Sequence, residues 1–121
     1  MHNILIIDDE PNITDVLHTA LSNNYNVTCF NDSLKGLDEY INNPIYSVIL
    51  VDYYMPNLKG NELIDKVLKI NPKQKIIAII GSIRRSFLEM ICKFTETVQV
   101  LEKPFTIKEL ETALELAFKY P

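Results

Sequence analysis

No run of apolar residues in this chain exceeds five, no tract is rich in lysine and arginine, and its two cysteines stand far apart. Each absence removes a class of protein. Five apolar residues fall far short of a membrane span, and Met1-His2-Asn3 leads straight into a strand pattern rather than a signal peptide. The expected location is cytoplasmic, with no membrane partner. Twelve basic residues stand against 16 acidic ones for a net charge of −4, so a nucleic-acid surface has little support. Cys29 and Cys92 offer neither a disulfide framework nor zinc-ligand spacing, and both read as small buried thiols. Internal repeats and low-complexity segments are also missing. The 121 residues, 47% of them hydrophobic, suit one domain over 1–121 with one core.

Against those absences stand three short, wholly apolar runs: Ile4–Ile7, Val48–Val51 and Ile76–Ile80. Such runs read as strands covered on both faces. Two mixed runs, Val27–Phe30 and Val98–Leu101, suit the edges of a sheet. Helical spacing separates the strands. Ile13, Val16, Leu17, Ala20 and Leu21 follow Pro11; Leu34, Leu37, Tyr40 and Ile41 follow a cap at Asp32 or Ser33. Leu63, Ile64, Val67, Leu68 and Ile70 follow Gly60, and Phe87, Leu88, Ile91, Cys92 and Thr95 give a fourth pattern. Thr106-Ile107-Lys108-Glu109 is a capping box, and Leu110, Ala113, Leu114 and Ala117 share one face behind it. Gly36 lies inside a helical pattern, where it costs about 1 kcal/mol relative to alanine. Strand and helix alternate five times, which predicts an α/β fold: a five-stranded parallel sheet with helices on both faces. Order 2-1-3-4-5 makes the apolar strands central and sets the ends of strands one and three side by side.

That order gives the acids their meaning. Asp8, Asp9 and Glu10 end the first strand, and Asp52 ends the third just before Met55-Pro56. Carboxylates brought so close cannot all stay ionised unless a cation joins them. Oxygen ligands without a neighbouring histidine or cysteine favour Mg²⁺, and Mg²⁺ held by a few carboxylates favours a phosphoryl group as the further ligand. His2 and His18 are scattered and take no part. Lys103, just past the fifth strand, is placed to neutralise phosphate oxygens. Ser82, after the fourth, is placed to donate a hydroxyl hydrogen bond.

Ile6-Ile7-Asp8-Asp9-Glu10-Pro11, Val51-Asp52 with Met55-Pro56 and Gly60, and Lys103-Pro104-Phe105 together resemble the response-regulator receiver family across essentially the whole chain. The resemblance implies a flavodoxin-like fold and a two-component signalling role. Asp52 would be the phosphoacceptor, taking a phosphoryl group from a phosphohistidine on a sensor histidine kinase or phosphotransfer protein. Asp9 would bind Mg²⁺ directly and Asp8 through water, with Asp52 and the backbone carbonyl of Tyr54 completing the protein ligands. Lys103 would pair with the acyl phosphate, and Lys103–Pro104 would be a cis peptide. Implied too are an unidentified downstream effector or output domain, an option of dimerising on phosphorylation, and no enzymatic activity beyond autocatalysed phosphoryl acceptance and slow self-dephosphorylation.

Two positions depart from the family pattern. The hydroxyl residue usual at the end of strand four falls on Gly81 when counted back from Lys103, and on Ile80 when the strand itself is aligned. Either Ser82 takes its place after a small loop shift, or the hydroxyl is missing. The aromatic or histidine usual three positions before the lysine is Val100. These departures favour a rival reading, a receiver-like interaction module with altered or lost switching. A small aspartate-nucleophile phosphatase is disfavoured, because Tyr54 stands where a second acid is needed. Flavin binding is disfavoured because acids replace a Ser/Thr/Gly-rich loop after strand one.

Overall fold

The computed structural model of the chain describes residues 1–81, 89 and 97–119. Ser82, Cys92 and the helix expected over Phe87–Thr95 lie outside that description, apart from the helical backbone at Glu89. Among the described residues, strands β1 (Asn3–Ile7), β2 (Asn26–Phe30), β3 (Val48–Asp52), β4 (Lys75–Ile80) and β5 (Val98–Glu102) alternate with helices α1 (Pro11–Leu21), α2 (Ser33–Asn42) and α3 (Gly60–Ile70), and α4 (Ile107–Lys119) follows β5. The sheet runs β2-β1-β3-β4-β5 with every neighbouring pair parallel. This is the expected order, and the two mixed strands are indeed its edges.

The alternation of side chains along each strand divides the core into two layers. Leu5, Ile7, Ile49, Val51, Ile76 and Ala78 face Leu37 and Tyr40 of α2 and Leu63, Ile64 and Val67 of α3. Ile4, Ile6, Val48, Leu50, Ile77 and Ile79 face Leu17 and Leu21 of α1 and Leu110 and Leu114 of α4. Each aliphatic side chain fully buried in this way contributes about 1.5–3 kcal/mol relative to exposure.

The helix stripes are narrower than their apolar residues suggest. Val16, Leu34, Ile41 and Ile70 are all about half exposed or more. In α1, Leu17 and Leu21 make the contact one turn apart, and Val16 lies a third of a turn round from Leu17. In α2 the buried set is Ser33, Gly36, Leu37 and Tyr40, which rotates Leu34 and Ile41 outward. Gly36 packs directly on Ile7: a Cβ there would lie 2.7 Å from its Cδ1 and would have to push that buried side chain aside. Asp32, not Ser33, caps α2, accepting from the N–H groups of Leu34 and Lys35. Cys29 is only partly buried, and burial together with the nearby Asp15 pushes its thiol up to about 11, so it stays protonated. No described helix is long and apolar enough to cross a membrane.

Candidate functional site

Ile7 of β1 pairs with Val51 of β3, so the next residue of each strand's path, Asp8 just past β1 and Asp52 at the end of β3, stands at the same level. Asp9 follows at the start of the loop. Carboxylate oxygens of Asp8, Asp9 and Asp52 lie within 4.8 Å of one another. Lys103 comes off β5, whose end is held to β4 by the Lys103 N–H donating to the Ile80 carbonyl at 2.8 Å. Its Nζ stands 3.7 Å from Oδ1 of Asp52. Four of the residues expected at the site therefore meet at one edge of the sheet. The Lys103–Pro104 peptide is cis, as expected.

The pocket is electrostatically unbalanced. Asp8 is fully buried and Asp52 is 4% exposed. Oδ1 of Asp8 accepts the Glu10 N–H at 2.9 Å, whereas its Oδ2 is buried with no hydrogen-bond partner. Burial raises the Asp8 carboxyl above its ordinary value, against the Glu10 hydrogen bond and the Lys103 charge. Burial first and the Asp8 charge second push Asp52 up to about 7, with Lys103 pulling the other way. Among the described residues, one ammonium faces three acids and does not offset them. An oxygen-only donor set with an orphaned buried oxygen fits a hard divalent cation, which would favour the ionised forms and take up the unpaired lone pairs.

The loop after Asp52 is tightly constrained. A Cβ on Gly60 would lie 2.5 Å from Cα of Tyr53 and 2.8 Å from the Asp52 carbonyl oxygen, so only glycine lets α3 begin this close. Gly60 N–H donates to the Tyr53 carbonyl at 3.0 Å, and Asn57 turns the loop with a φ of 66°. Tyr54, whose carbonyl is an expected ligand, lies on this loop with its ring edge-on to Tyr53 at 5.0 Å. Gly81 follows directly on β4, exposed, with open space around an ideal Cβ; it brings no hydroxyl to the strand end. Ile80, the other candidate, is fully buried in the core. Val100 is 40% exposed on β5.

A model of the family described as response regulator receiver domain matches residues 4–115. The chain belongs to the response-regulator receiver family. Among curated relatives, this receiver is 31% identical over 114 residues to the response regulator ArlR of Staphylococcus epidermidis, covering 91% of its own length and 49% of that protein. It is 29% identical over 116 residues to the response regulator receiver protein CpdR of Brucella abortus, covering 95% of each. The receiver thus spans about half the length of the first curated relatives it matches. Solved structures agree on the fold. A receiver domain protein from Clostridium thermocellum superimposes with a TM-score of 0.87 at 27% identity, over 98% of this chain and 95% of that one. A CheY-like receiver domain protein from Methanospirillum hungatei gives 0.88 at 25% identity, over 99% and 96%. Receivers generally hold Mg²⁺ in an acidic pocket, and Asp8, Asp9 and Asp52 form such a cluster here.

Two features of the receiver's site were not anticipated from sequence. An apolar cavity of about 440 Å³ adjoins Lys103, lined by Ile13, Val16, Leu17, Pro104, Phe105 and Ile107. Asn31, not singled out in the sequence, donates to the Asp8 carbonyl, and Ser33, considered there only as a helix cap, accepts the Leu58 N–H and donates to the Pro56 carbonyl. The polar run Asn31-Asp32-Ser33 was the one signal, and its obvious reading was a helix cap.

Proposed function

We propose that this receiver accepts a phosphoryl group on Asp52 from a phosphohistidine on a sensor kinase or phosphotransfer protein, and so changes its affinity for an effector or output domain. What carries the reading is the convergence of three carboxylates within 4.8 Å, one of them with an orphaned oxygen, beside an ammonium 3.7 Å from Asp52. In the transfer, a carboxylate oxygen of Asp52 attacks phosphorus. A P–O bond forms as the P–N bond breaks, and the electron pair leaves on the imidazole nitrogen. Lys103 neutralises phosphoryl oxygens as charge shifts between them. Asp9, Asp52 and the Tyr54 carbonyl would hold Mg²⁺, with Asp8 acting through water. Bound there, the ion supplies charge neutralisation and in-line orientation. Burial of Asp8 and Asp52 limits the water that reaches the acyl phosphate. The apolar cavity beside Lys103 supports a protein donor, since it offers dry surface next to the acceptor for a partner to cover. No separate substrate is turned over; the chain modifies itself and slowly reverses the change.

Gly81 and Val100 favour a second reading, a receiver-like interaction module with altered or lost phospho-switching, whose limiting form is inert towards phosphoryl groups. Beryllofluoride with Mg²⁺ separates the two. The first predicts a bound fluorine NMR signal in the parent that disappears on chelating magnesium and in Asp52→Asn. No signal in the parent would leave only the inert module, and a signal in Asp52→Asn would move the acceptor elsewhere.

A further inference from the structure

Both halves of the acid pocket are tied to one short segment that touches none of its carboxylates. Nδ2 of Asn31 donates to the backbone carbonyl of Asp8 at 2.8 Å and to the hydroxyl of Thr14 at 3.0 Å. Thr14 is itself buried in α1, and its hydroxyl donates to the Pro11 carbonyl at 3.1 Å. Asn31 therefore fixes the turn from β1 into α1, which carries Asp8 and Asp9. Two residues on, the Ser33 hydroxyl accepts the Leu58 N–H at 3.1 Å and lies 3.4 Å from the Pro56 carbonyl, to which it donates. Ser33 is 2% exposed and so has no water to replace these partners. It thereby fixes the loop after Asp52 on either side of Asn57, the residue in left-handed conformation. Asp32, between them, caps α2 by accepting from the Leu34 and Lys35 N–H groups, and these bonds stay within its own helix.

The loops need such a tie. Asp8, Asp9 and Asp52 repel one another with, among the described residues, Lys103 to offset them, and the repulsion acts to open the pocket along the seam between β1 and β3. We infer that Asn31 and Ser33 are positioning residues that clasp the two loops and hold the acid pocket at metal-binding spacing before any ion arrives. The inference rests on the metal-dependent phosphoacceptor reading above. A preformed cluster spares the incoming ion the work of drawing two repelling loops together, so the clasp adds to Mg²⁺ affinity rather than only to fold stability.

The test is a titration with Mg²⁺ alone, followed by the amide resonances of residues 52–54, on the parent, Asn31→Ala, Ser33→Ala, Ser33→Thr and Asp32→Ala, with a melting temperature for each. Asn31→Ala and Ser33→Ala should each weaken Mg²⁺ binding by about tenfold. Ser33→Thr, which keeps the hydroxyl, should recover most of the Ser33→Ala loss. Asp32→Ala loses the helix cap between them and should melt earlier while binding Mg²⁺ as the parent does. If Asn31→Ala and Ser33→Ala bind Mg²⁺ like the parent and differ only in melting temperature, the two residues are structural and the inference is wrong, while the phosphoacceptor reading stands. A parent that binds no Mg²⁺ would overturn both.

Discussion

The two ends of the sheet treat buried polar groups in opposite ways. At the amino end, Gln74 is 4% exposed and well satisfied: it accepts from the Tyr40 hydroxyl at 2.8 Å and donates to the carbonyls of Tyr46 and Lys75, each at 3.1 Å. Nearby, the His2 ring stacks on Phe118 at 3.9 Å and hydrogen-bonds the Ser47 hydroxyl. At the carboxyl end, Asp8 and Asp52 are equally buried, yet one carboxylate oxygen has no partner and Asp52 is pushed up to about 7. A buried polar group with its partners in place stabilises the fold. One left short of partners costs stability, and at the strand ends the proposed metal ion would supply what is missing.

That contrast can be broken most forcefully at Asp52. Its carboxyl is carried from 3.8 up to about 7, so between those values the folded chain keeps a proton that the unfolded chain releases. Without divalent metal, stability should therefore fall as pH rises from about 4 towards about 7, and the loss should be complete above that. Asp52→Asn abolishes this contribution and should stabilise the metal-free protein at pH 7.5 by on the order of 3 kcal/mol. Thermal melts of both proteins across that range check it; an Asp52→Asn protein less stable than its parent at pH 7.5 would mean that the carboxyl end is not strained. A smaller effect of opposite sign is expected at the other end. Gln74→Leu removes an acceptor from the Tyr40 hydroxyl and a donor from the Tyr46 carbonyl inside the core and should cost about 2 kcal/mol. Denaturant unfolding measures that loss, and a Mg²⁺ titration should show affinity unchanged. A shift in Mg²⁺ affinity would show that the two ends are not independent.

The same contrast explains what could be read from sequence. Wholly apolar runs against mixed ones were enough to order the strands, because burial on both faces dictates composition through the middle of β1, β3 and β4. Once the order was set, Asp8, Asp9, Asp52 and Lys103 converged by topology alone. What remained hidden depends on single long-range hydrogen bonds. Ser33 and Leu58 are 25 residues apart and Tyr40 and Gln74 are 34 apart, and neither pair belongs to a periodic pattern. Val16, Leu34 and Ile41 misled for a related reason: apolar character suggests an inward face, but the rotation of each helix is set by its closest contact, such as Gly36 against Ile7. Gly81 and Val100 were recognised as departures, and the backbone around them leaves the strand end without a hydroxyl from Gly81.

The most direct test of the central claim is intact mass after incubation with acetyl phosphate, with Mg²⁺ and with a chelator, for the parent and Asp52→Asn. The account predicts a single phosphoryl adduct on the parent that requires Mg²⁺, and none on Asp52→Asn. An adduct on both proteins, or one on the parent that forms equally well without Mg²⁺, would contradict it.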